Sequence, residues 1–155
     1  PVPRPRLRML IEALYDADTP DAVADAIAQL AEETGVLTVT VQPPNDDHTT
    51  THFKWTAEEI GQVAERHIRA LRIPLQEDGR VLADLFVAYR HNAEAPSSWG
   101  VVVPWEMAGH VLTERFDAIR WADVPSRGAP QPNDGAATER PAATTPAGDP
   151  TPSGV

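Results

Sequence analysis

The chain of 155 residues contains no cysteine. That absence excludes a disulfide framework, a thiolate zinc site and a thiol nucleophile, whatever redox compartment holds the protein. Lysine is almost missing as well, with Lys54 standing alone among 13 basic residues. No apolar run approaches the roughly 20 residues that a membrane helix requires, so no membrane span is expected. The arginines near the start precede an apolar run that Glu12 interrupts, so no secretory apolar region is expected and a cytoplasmic protein is. The sequence also lacks a G-x-S-x-G elbow, a Walker loop, a dinucleotide fingerprint and an H-E-x-x-H pair. No cofactor and no metal are expected, and enzyme chemistry becomes the lesser reading.

What is present is acidic. The formal net charge is −10, and residues 1–121 alone hold 19 acidic and 11 basic side chains, a net of −8. Such a surface repels phosphate backbones, so nucleic acid is a disfavoured partner. Arg4, Arg6 and Arg8 form the densest basic cluster and read either as a short basic arm or as solvated charges at a helix entrance. Length and a 41% hydrophobic share suit one folded domain.

Leu7, Leu10, Ile11 and Leu14 recur at helical spacing and predict a helix over 6–16. Thr19, Pro20 and Asp21 are an N-terminal signature for a second helix that Gly35 would end. Residues 36–42 alternate as a strand with one polar side, and the proline and turn-forming residues at 43–47 lead to a second strand over 48–55. Thr56 and Glu59 have capping-box spacing, and Ile60, Val63, Ala64, His67, Ile68 and Leu71 then repeat as one helical face, predicting a helix over 57–71. Residues 72–90 read as a hairpin turning at Asp78-Gly79, apolar on both faces except for Asp84. A loop over 91–100, a short strand at 101–103 and a helix opened by Pro104 complete the domain. From 122 the composition turns to proline, alanine, glycine and threonine, and a disordered tail over 122–155 is expected.

These elements describe an α+β domain over 1–121, an antiparallel sheet of four or five strands packed against helices. The element order is similar to that of small sensory modules of the GAF type, and that resemblance implies a ligand pocket between sheet and helices.

Four residues carry the candidate site. Asp84, a carboxylate in a central strand, requires a cationic or hydrogen-bonding partner if buried; otherwise its face is open at an edge or contact surface. His67 lies in the apolar stripe of the expected helix, as a satisfied core histidine or as a ligand-binding one. Packed face to face, His67 and Asp84 would make an acid-base dyad. Trp99 and Trp105 read either as exposed binding anchors or as large aromatics capping a small core. His48 and His52 would share a strand face about 13 Å apart, too far to ligate one ion directly, and are expected to face solvent.

Three functions follow in order. The first is a non-enzymatic interaction or assembly protein whose partner is another protein or a second copy. The second is a small-ligand sensor with a pocket between hairpin 72–90 and helix 57–71. The third is an acid-base enzyme using Asp84 and His67.

Overall fold

The computed structural model describes residues 2–44, 50–91 and 98–129. The 45–49 turn with His48, the centre of the 91–100 loop and the tail from 130 onward lie outside the described residues.

The hairpin forms as its sequence requires. β3 (Ile68–Glu77) and β4 (Arg80–Arg90) are joined at Asp78 and Gly79, whose φ angles of 53° and 79° are the positive values of a tight hairpin turn. β1 (Thr38–Gln42), β2 (Phe53–Thr56) and β5 (Arg127–Gly128) complete a sheet of order β3-β4-β1-β2-β5. Neighbours are antiparallel except β5, which runs parallel to β2 and makes the sheet mixed.

No helix spans 57–71. Short 3-10 turns occupy Glu58–Gln62 and Glu65–His67, and β3 begins at Ile68. Leu71 fits the helical stripe before it and equally the period of two that runs on through Ile73 and Leu75, and in the ladder these three sit opposite Val87, Leu85 and Ala83. A ladder started by the Asp-Gly turn gains hydrogen bonds and burial with each added pair. The competing helix would have carried Gly61, at about 1 kcal/mol relative to alanine. β2 and β4 both run antiparallel to β1, so Thr56 and Ile68 lie at one end of the sheet, and 57–67 crosses that end.

Three helices cover the face formed by Val39, Val41, Phe53, Trp55, Leu75, Ala83, Leu85 and Val87. α1 (Arg4–Asp16) packs on α2 (Pro20–Thr34) and on α3 (Trp99–Arg115); α3 lies over β3 and β4, and α2 over β2 and β5. α2 begins as expected: the Thr19 hydroxyl accepts the Ala22 N–H at 3.1 Å, and Gly35 closes the helix at φ 70°. α3 starts five residues before Pro104 and absorbs 101–103, the residues expected as a strand; the Val102 N–H reaches the Ser98 carbonyl at 2.8 Å. β-branched valines suit either state, and burial of Trp105, Ala108 and Leu112 along one helical face decides it. α3 approaches the sheet closely, since a Cβ on Gly109 would stand 3.0 Å from the Ile73 Cγ2.

The fold continues past 121. Trp121 and Val124 are buried, the Lys54 N–H donates to the Ser126 hydroxyl at 3.1 Å, and Arg127 reaches Asp25 of α2 at 2.8 Å. Averaged composition concealed these few anchors. Gly128 has φ 91°, and a Cβ there would press on the Thr56 carbonyl oxygen and lie 2.8 Å from the Thr56 nitrogen. Gly128→Ala should therefore release β5 from β2, at about 1–2 kcal/mol of stability. Urea unfolding measures the loss, and faster tryptic cleavage after Arg127 reports where it occurs; an unchanged midpoint and unchanged cleavage would contradict the assignment.

Candidate functional site

The sheet face opposite the helices carries Thr38, Thr40, Gln42, Ala70, Arg72, Pro74, Asp84, Phe86 and Ala88, and none of α1–α3 lies over it. Asp84 is on that face and yet buried, its side chain 7% exposed. Its register neighbours are Pro74 on β3 and Gln42 on β1. The Nη2 of Arg72 stands 3.0 Å from Oδ1, but Oδ1 accepts no well-aligned hydrogen bond, so the contact is one of charge rather than of directed bonding. Arg72 is itself 55% exposed. Asp84 thus has the cationic partner its position demands, and the partner is solvated.

His67 is exposed at the end of the second 3-10 turn, where its carbonyl accepts the His91 N–H at 2.7 Å. Asp84 is opposite Pro74, seven residues further along the chain, or about 23 Å at strand spacing. The expected dyad is not assembled. The pocket expected between hairpin 72–90 and helix 57–71 likewise has no helix to form its wall.

The two tryptophans of α3 part company. Trp105 is fully buried, and its Nε1–H donates to the Thr34 hydroxyl at 3.1 Å, so it is a core residue with its polar atom satisfied. Trp99 is 69% exposed.

His52 is a further departure from expectation. Rather than facing solvent, it packs against Phe116 and Trp121, with ring centroids 5.9 and 6.0 Å away. Burial holds its pKa below the ordinary 6.5. Between that lowered value and 6.5 the unfolded chain binds more protons than the folded one, so stability rises with pH across the window. The contribution is complete above pH 6.5 and is lost as pH falls toward the folded value. Chemical denaturation from pH 7.5 to 5 should show this fall, and His52→Phe should flatten it; an equal slope in both proteins would contradict the assignment. Glu33, whose pKa is lowered by its hydrogen bond to Arg6, contributes only at more acidic pH.

The feature that the sequence reading missed lies on the outside of α1 and α3. Every exposed large hydrophobic side chain among the described residues belongs to these helices: Met9 and Tyr15 on α1, and Trp99, Val103 and Met107 on α3. Trp99, Val103 and Met107 follow one another at intervals of four and so form a stripe on one helical face. Pro5 and Met9 are related in the same way on α1. Between the helices runs a groove of about 640 Å³, lined by Pro5, Leu7, Met9, Val103 and Met107, with Arg4 and Arg8 as its charged members. Arg6, by contrast, turns to α2 and holds Glu33 through its Nε at 2.8 Å. The signal was present in the sequence, because α3 is apolar on more than its core face, but assigning 101–103 to a strand hid the four-residue spacing. A second recess, about 500 Å³, opens where α2 ends against β2 and β5, and Glu32, Glu58 and Glu59 give it an acidic lining.

No helix among the described residues is long and apolar enough to cross a membrane. Comparison with protein-family models, with curated proteins and with solved structures finds no match to this chain.

Proposed function

We propose that this protein is a non-enzymatic interaction module that binds another protein through the outer face of α1 and α3. One observation carries the reading: the exposed large hydrophobic side chains are not scattered but gathered on these two adjacent helices, with a groove between them. Scattered apolar residues are normal on a protein surface, whereas a contiguous patch costs hydration and marks a contact site. Methionine suits this role, since its flexible, polarisable side chain adapts to a partner's shape.

The test uses the protein purified without denaturation from the cells that make it. Size-exclusion chromatography with light scattering should find wild type in a complex heavier than the 16.8 kDa chain. The Met9→Ser/Met107→Ser variant should elute alone while keeping its circular dichroism spectrum and melting temperature, because both side chains are exposed. Wild type and variant eluting identically would overturn the reading.

A further inference from the structure

Resting on that interaction reading, the groove's own chemistry narrows its occupant. Its floor is apolar, and among the described residues the only charged ones lining it are Arg4 and Arg8, one turn apart on α1. Neither forms an ion pair among the described residues, while Arg6 between them is committed to Glu33. A positive rim on a molecule of net charge −10 is a local inversion of its surface. We propose that the α1–α3 groove seats an amphipathic helix of a partner protein, with an apolar stripe on Met9, Val103 and Met107 and carboxylates facing Arg4 and Arg8.

Two other occupants fit less well. A second copy would meet the groove with the same patch, as a two-fold contact requires, and would bring Arg4 and Arg8 toward their own equivalents between two acidic molecules. The chain's own residues 130–155 are rich in proline and poor in large apolar side chains, so they offer no stripe of helical spacing. A helix in a groove, by contrast, uses apolar anchors at i, i+4 and i+7 against such a floor and takes its orientation from rim charge.

The probe is a displayed library of random peptides of about 16 residues, roughly 24 Å as a helix, with acidic and basic residues at equal frequency. It is selected on immobilised wild-type protein and, separately, on Arg4→Glu/Arg8→Glu. Arg4 opens α1, where a carboxylate is favoured, and Arg8, one turn on, is exposed, so the variant should fold. Binders to wild type should carry apolar residues at i, i+4 and i+7 with acids enriched several-fold over bases, and on the variant the charge preference should invert. Failure to recover binders, equal use of acids and bases, or a preference unchanged by the variant would each overturn the proposal. Sedimentation velocity of the wild-type protein separates this failure from that of the broader reading. With any partner removed, a monomer at all concentrations is expected. A dimer that Met9→Ser/Met107→Ser dissolves would give the groove to a second copy, overturning the acidic helix and leaving the interaction reading intact.

Discussion

Trp105→Ala should lower the unfolding free energy by about 3–5 kcal/mol, the range for emptying the site of a fully buried aromatic ring. Trp105 is 0% exposed and is the largest of the fully buried side chains. It sits on α3 where that helix meets the sheet, and its Nε1–H reaches across to Thr34 near the end of α2. Truncation would therefore leave a void and also remove the hydrogen bond linking two helices. The Thr34 hydroxyl would keep its own donation to the Leu30 carbonyl at 2.7 Å, so the polar loss should be the smaller part. Trp105→Phe separates the two contributions and should cost about 1–2 kcal/mol. For a domain whose total stability is about 5–15 kcal/mol, a loss of this size is a large fraction of the whole and should move the unfolding midpoint clearly. Guanidinium titration followed by circular dichroism measures both. A loss below about 1 kcal/mol for Trp105→Ala would fall outside the cavity range and contradict the placement of this ring in the core.

Arg72→Ala should cost about 1–3 kcal/mol, because it strands a buried carboxylate rather than because the ion pair is strong. Arg72 is half-exposed, and an exposed pair contributes about 0–1 kcal/mol at most. Asp84 is not exposed, and without the guanidinium its charge would stand in a β-sheet between Pro74 and Gln42 with no ion-pair partner among the described residues. The complementary change should behave differently. Asp84→Val removes the charge that needs the partner, suits the strand and leaves Arg72 free in water, so its effect should range from neutral to about 1–2 kcal/mol of added stability. In the double variant the cost of Arg72→Ala should largely vanish. A double-mutant cycle from urea titrations measures this coupling directly. If Asp84→Val proved as harmful as Arg72→Ala, the pair would be a net stabilising bond and the argument from burial would fail.

How much of this was legible in the sequence differs from element to element. The Asp78-Gly79 turn and the α2 caps were read correctly because the signal is local: a positive φ or a hydroxyl cap requires particular residues whatever surrounds them. The 57–71 stretch was misread because Leu71, once placed, satisfies either period, and the choice belonged to β4, an element later in the chain. Residues 101–103 were misread in the same way, since their helical state depends on Trp105 and Leu112 finding the sheet. At 122–129 a few residues, among them Val124, Ser126 and Arg127, anchor the chain, too few to show against its proline-rich background. For Asp84 the sequence left two readings, a buried carboxylate with a cationic or hydrogen-bonding partner or an open face; the diagonal approach of Arg72 follows from a register that only the folded hairpin fixes. The α1–α3 groove required knowing both that 99–103 is helical and that α1 packs beside it, and neither was available from periodicity in one segment.

The most direct test of the claim that the α1–α3 face is the contact surface is site-specific photo-crosslinking in the cells that make the protein. A photoreactive residue is placed at Met107, in the groove, or at Glu65, which is exposed and lies outside the groove. The account expects one discrete crosslinked protein from position 107 that is absent from position 65 and lost when Met9→Ser is added. Crosslinks of equal yield and identity from both positions, or none from position 107, would contradict it.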